Sequence, residues 1–151
     1  MKEKLIVKLL KFRTLKPSSE HIKDMLEGES NLGLIFGTDL FIGREPTSRE
    51  TTDNIVTIID TQGGPVHLTN TKENSDYQYP TLQIRIRNND LITGWELAED
   101  IVASLHGRGG ETYDGVYYSL VRCISGPASL MWDENERAVL VSNFELQRRP
   151  V

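Results

Sequence analysis

The chain has 151 residues, 38% hydrophobic and 26% charged, with a formal net charge of −5. That suits a single domain with an apolar core of its own and excludes a globally disordered chain. An acidic chain has no bulk field for gripping phosphate backbones, and one cysteine, Cys123, allows neither an internal disulfide nor a cysteine-based zinc site.

Leu5, Ile6, Leu9, Leu10 and Phe12 recur at helical spacing and predict an amphipathic helix over residues 3–15, ended by Pro17. Lys8 and Lys11 interrupt the apolar stretch, which makes an export signal the lesser alternative. No apolar run is long enough to cross a bilayer. Ser18 and Ser19 offer an N-cap for a second short helix that carries Ile22, Met25 and Leu26 and stops at Gly28. The apolar stretch Gly33–Gly37 reads as a strand or a buried loop, and Asp39–Gly43 as a short strand. Residues 44–53 are polar, hold Pro46 and read as loop.

The β-branched run Asn54–Asp60 predicts a strand, and residues 62–65 must turn. The polar connection up to Tyr79 is long for a small domain, so residues 62–79 are expected to form a mobile, partner-seeking loop. Leu82, Ile84 and Ile86 alternate with Gln83, Arg85 and Arg87, which describes a strand with one buried and one polar face. Asp90 is placed to cap a helix over Leu91–Leu105, with Ile92, Trp95, Ala98, Ile101, Val102 and Leu105 expected on the buried side and Gly107 at its end. A strand follows over residues 116–124, which Gly126–Pro127 is expected to break. Strands at residues 128–132 and 137–146 then flank a hairpin loop, Asp133–Glu136, with Leu140, Ser142, Phe144 and Leu146 on one face of the last strand. Strands mixed with a few helices indicate an α+β fold: a mainly antiparallel sheet with two or three helices packed on one face, within one domain over residues 1–151.

A search for chemistry finds little. His21, His67 and His106 have no His or Cys at ligand spacing and read as surface residues. Gly107–Gly110 follows a helix and precedes a strand, the wrong order for a phosphate cradle. Cys123 sits among apolar residues and reads as core rather than nucleophile. Glu96, Glu99 and Asp100 suit a solvated helix face, and Asp133–Asn135 lacks a full calcium-loop pattern. No catalytic residues, metal or cofactor are expected. Arg85 and Arg87 lack interleaved aromatics for single-stranded nucleic acid and read as solvated or inter-subunit side chains.

The order of the motifs in the second half carries a resemblance. A Gln83-x-Arg85-x-Arg87 strand precedes the helix that ends Leu105-His106-Gly107; Ser125-Gly126-Pro127, Asp133-Glu134-Asn135-Glu136-Arg137 and Asn143-Phe144-Glu145 follow. This resembles bacteriophage minor capsid proteins of the tail-terminator type over residues 80–148. The chain departs at Glu136, where that family usually has Gly, and at Ala128–Trp132, where relatives often place Leu-Gly. The resemblance implies a structural virion protein at the head–tail junction. It implies a homo-oligomeric, hexameric ring that caps the tail tube protein, stops its elongation and offers a docking surface to the head or neck connector protein. DNA would pass through the lumen without being read, and no membrane would be involved. The expected interface residues are Gln83, Arg85 and Arg87 on the strand and His67, Asn70, Lys72, Tyr77 and Tyr79 on the long loop. The alternatives are a head-completion or neck protein, a monomeric host adaptor, and a small ligand-binding or enzymatic domain.

Overall fold

The computed structural model describes residues 15–47, 52–65 and 77–151. The helix expected over residues 3–15 lies, except for Leu15, outside them. Two helices and six strands are seen among the described residues: α1 (Ser18–Glu27), β1 (Leu40–Ile42), β2 (Ile55–Thr61), β3 (Thr81–Asn88), α2 (Leu91–Leu105), β4 (Glu111–Tyr113), β5 (Val116–Trp132) and β6 (Ala138–Pro150). The strands form one sheet in the order β1-β2-β3-β6-β5-β4. Only β1 and β2 run parallel; every other pairing is antiparallel, so the fold is α+β as expected.

The register explains where the core lies. Val56, Ile58, Ile84, Ile86, Leu82, Leu140, Phe144, Leu146 and Val121 line one face through directly opposed pairs such as Ile58–Ile84, Val56–Ile86, Leu82–Phe144 and Val121–Leu146. Ile22, Met25 and Leu26 of α1 and Ala98, Ile101 and Leu105 of α2 join the same cluster, so both helices cover that face. The alternation in β3 and β6 was enough to assign it, because a strand presents every second residue to one side.

Three expectations need correcting. Ser18 and Ser19 do not cap α1. Pro17 occupies the N-cap position, and the two serines, already helical, reach Asp60 of β2: Ser18 Oγ and Ser19 N–H donate at 3.1 Å and Ser19 Oγ at 2.5 Å. A carboxylate from the sheet thus satisfies the helix N-terminus and complements its positive end. Second, Ile92 and Trp95 are not core: they are 62% and 38% exposed. The buried line of α2 is Gly94, Ala98, Ile101 and Leu105. Gly94 decides this rotation, because a Cβ there would lie 3.0 Å from Asn88 Cβ and 3.2 Å from Leu140 Cδ1. The helix lies close to the sheet where its residues are small, and the two large side chains are left on its flanks. Third, Gly126–Pro127 does not break the strand. β5 runs on to Trp132 and absorbs the pair in a register shift between Ser125 and Ala128. Proline is tolerated at an irregularity on an edge strand, where its missing N–H costs no ladder bond.

Asp90 caps α2 as expected, accepting from Thr93 N–H at 3.0 Å, and Gly107 follows the helix with φ +84°. The core assignment has a direct check. Truncating Ile101 or Leu105 to Ala should cost about 2–5 kcal/mol in urea denaturation, whereas Ile92→Ala should stay within about 0.5 kcal/mol.

Candidate assembly surface

The face of the sheet away from α1 and α2 is the polar one. On it Arg85 Nε donates to Gln83 Oε1 at 2.9 Å, and Gln83 Nε2 donates to Asn143 Oδ1 at 3.3 Å across the β3–β6 pair. Arg122 meets Glu145 at 3.0 Å across β5–β6, and the Arg85 guanidinium lies 3.8 Å from Glu45. Arg149 stacks over Tyr117 and Tyr77, with 5.2 and 5.9 Å to the ring centroids. Aromatics therefore do join arginine on this face, contrary to expectation. Folding brought them together: Tyr117 faces Arg149 in the β5–β6 register, and Tyr77 precedes an isolated bridge between Gln78 and Arg148. The facing carboxylates of Glu45 and Glu145 still make this a balanced polar surface and not an uncompensated basic one.

Arg87 does not belong to the exposed part of this surface, and its placement corrects the reading of the Gln83-Arg85-Arg87 row. It is 3% exposed, and its guanidinium donates to the carbonyls of Pro46 at 2.9 Å, Thr52 at 2.9 Å and Asp53 at 3.0 Å. It clamps the chain on both sides of the β1–β2 connection onto the sheet. Burial, and then the nearby Arg137, work against its charge, while Glu45, Asp133 and Asp53 favour it. Arg137 is equally internal: its Nε donates to Asp133 at 2.7 Å and Nη1 to Asp53 at 3.2 Å. Burial pushes the Asp133 carboxyl upward, but hydrogen bonds from Arg137 and Asn135 outweigh it and hold the group below its ordinary range.

Asp133 also organises the β5–β6 turn, accepting from the N–H groups of Asn135 and Arg137. Glu136 sits there with φ +59°. The left-handed conformation that a glycine would supply is thus kept, and the side-chain bonds of Asp133 offset the strain that a non-glycine residue brings there.

Of the remaining expected interface residues, Tyr77 and Tyr79 are half-buried, and His67, Asn70 and Lys72 lie outside the described residues. The two ends of the long connection are stitched together: Gly64 N–H donates to the Tyr79 carbonyl at 3.0 Å, and a Cβ on Gly63 would collide with the Tyr79–Pro80 backbone.

A feature missed in the sequence lies at the sheet edge. β5 pairs with β6 along its length, but β4 covers its other side only over Val116–Tyr118. The α2–β4 connection continues that cover: Gly107 N–H donates to the Val121 carbonyl, Val121 N–H donates to the Arg108 carbonyl, and Cys123 N–H donates to His106 Nδ1 at 3.0 Å. Beyond Cys123 no strand among the described residues lies against that side. The same stretch exposes Ile124 at 49%, Leu130 at 49%, Met131 at 50% and Trp132 at 53%. At the opposite edge, β1 is only three residues long, and Ile35 and Phe36 beside it are also exposed.

Among the described residues no His, Cys, Asp or Glu cluster could hold a metal ion, and no helix is long and apolar enough to cross a membrane. Cys123 is half-buried, and burial pushes its thiol up, away from the thiolate form a nucleophile needs. Polar contacts inside the subunit, a hydrogen-bonded sheet face and apolar edges left uncovered among the described residues suit a structural protein of the kind that builds assemblies. The family comparison is specific: residues 29–149 match the model for the bacteriophage tail terminator protein, and the chain belongs to that family. The match extends well ahead of the motifs at residues 80–148. The fold is also that of a chain in the virion of the native gene transfer agent particle, with a TM-score of 0.56 at 12% identity, over 85% of this chain and 91% of that one. No curated protein matches the sequence. The protein is a phage tail structural component.

The two arginines of β3 should behave oppositely. Arg87→Met strands three carbonyls and should cost at least about 1.5–3 kcal/mol, the range for a hydrogen bond to a charged group. Arg85→Ala should stay within about 0.5 kcal/mol. Chemical denaturation of the two variants checks the contrast.

Proposed function

We propose that copies of this chain join head to tail into a closed ring, six-fold in keeping with the family, that caps the finished tail tube. The ring ends tube elongation and presents a docking surface to the head or neck connector, and DNA passes through its lumen. Assembly takes place in the host cytoplasm and leaves the protein at the head–tail junction of the virion.

The observation that carries this reading is the pair of sheet edges that no further strand covers among the described residues. An unpaired strand edge is a template for another strand, and apolar side chains exposed along it favour being covered. The two edges differ, one long and one three residues short, so a contact between them is heterologous. A heterologous contact closes into a ring when its rotation divides a full turn, and otherwise builds a filament. A terminator requires the closed form. The Gln83–Arg85–Asn143 row and the Arg149–Tyr117–Tyr77 stack supply hydrogen-bonding and planar groups for partner contacts beside the edge.

The test is tail morphology by electron microscopy with a doubly substituted subunit, Leu130→Lys with Trp132→Lys. Both side chains are exposed, so the variant should keep its melting temperature. Tails assembled with it should be uncapped and uneven in length. Capped tails of normal length, built from a variant that folds, would rule out this edge as the assembly contact.

A further inference from the structure

His21 was expected at the surface and is instead 0% exposed, in a cage built by five segments. From β5, Tyr118 Oη lies 2.5 Å from His21 Nδ1. From β6, Arg148 Nη1 donates to the same Tyr118 oxygen at 3.2 Å and to the Lys16 carbonyl at 3.0 Å. From the β4–β5 turn, Asp114 Oδ2 lies 3.3 Å from His21 Nε2 without meeting hydrogen-bond geometry, and it also takes Lys16 Nζ at 3.2 Å. Tyr113 of β4 stacks on the imidazole at 6.0 Å, and Asp24 of α1 contributes a more distant negative charge.

Donor and acceptor counting favours one arrangement of the protons. A guanidinium can only donate, so Tyr118 Oη accepts from Arg148. The single hydroxyl proton of Tyr118 is then free to point at Nδ1, the arrangement that satisfies both groups of the 2.5 Å contact with a neutral imidazole. In that arrangement His21 is neutral, with its proton on Nε2, facing Asp114. A second proton could enter only at Nδ1. Tyr118 Oη would then accept from two cations at once, and its own proton would lose its acceptor in a buried site.

We propose that His21, Tyr118, Arg148 and Asp114 form an acid-sensitive latch that holds the segment entering α1 against the β4–β5 turn and the end of β6, and that protonation of His21 opens it. Arg148 is the junction: besides Lys16 and Tyr118 it binds Gln78, through Nε at 3.2 Å and through paired backbone bonds. Loosening Tyr118–Arg148 thus loosens Lys16 and residue 78 together. The opposing influences are explicit. Burial lowers the His21 pKa most, Asp114 raises it, Arg148 lowers it and Asp24 raises it, and the outcome is a pKa below the ordinary 6.5. The folded state therefore disfavours the proton relative to the unfolded chain. The stability this contributes is complete above about pH 6.5 and declines below it, until the folded-state pKa is reached.

Nitrogen-resolved NMR of the histidines in the whole chain, with amide exchange corrected for intrinsic rates, tests this. The expected result is an Nε2–H tautomer at pH 7.5 and a His21 midpoint below 6.5. Between pH 7 and pH 5, exchange at the Glu20, Gln78 and Arg148 amides should rise relative to Ile84. That rise is about tenfold for each unit by which the folded pKa is depressed, up to the roughly thirtyfold that this pH range allows. His21→Gln does not titrate and can still accept from Tyr118, so it should lose the acid-dependent rise. An Nδ1–H tautomer, a midpoint at or above 6.5, or acid loosening that persists in His21→Gln would each overturn the latch. Should His21→Gln not fold, the tautomer and midpoint of the unsubstituted chain still decide.

Discussion

Among the described residues, one side of β5 beyond Cys123 has no strand to bond, and much of the molecule can be understood from that. A strand of 17 residues paired on its second side over only its first half would, in isolation, be the weak point of the sheet. Here it is held by β6, which has β3 on its other side. Irregularities at residues 118–120, 123–125, 125–128 and 129–131 bend it. Bulges on edge strands curve and twist them, which aims the edge and restricts what can pair with it. Gly126 and Pro127 belong to this device.

The two faces of the sheet divide the remaining work. The helix face is closed by apolar packing and by Asp60 reaching the N-terminus of α1. The polar face is stiffened from within by Arg87 and Arg137, whose charges meet carbonyls and carboxylates of the same chain. Inward-turned arginines fix the β1–β2 connection and the β5–β6 turn in place. Arg85, Arg122 and Arg149 remain closer to solvent as the groups able to meet a partner. Two arginines two residues apart in β3 thus differ in setting, Arg87 buried among backbone carbonyls and Arg85 partly open to solvent.

Legibility in the sequence followed the strength of the local signal. The alternation of β3 and β6, the cap at Asp90 and the glycine after α2 were all readable, because each depends on neighbouring residues only. Four features were not. Gly94 rotates α2 through contacts with Asn88 and Leu140, which periodicity does not register. Arg87 alternates as a polar-face residue should, and only the distant carbonyls of Pro46 and Thr52 bury it. His21 gains its partners from β4, β5 and β6. Tyr117 and Arg149 meet by strand register. The short β4 hairpin is different: Asp114-Gly115, both with positive φ, is a readable two-residue turn signal that the neighbouring glycines obscured. Of the candidate surface, the polar row of Gln83 and Arg85 stands out by residue type, whereas an uncovered edge is a property of the assembled sheet.

The most direct measurement of the central claim is amide hydrogen exchange along β5, compared between free subunits and subunits seated on tails. If the open edge is where copies meet, amides of Ile124–Trp132 that exchange quickly in the free chain become protected on assembly, while those of Val116–Val121, already covered by β4 and the α2–β4 connection, change little. Assembled tails in which Ile124–Trp132 exchange as fast as in the free subunit would contradict it.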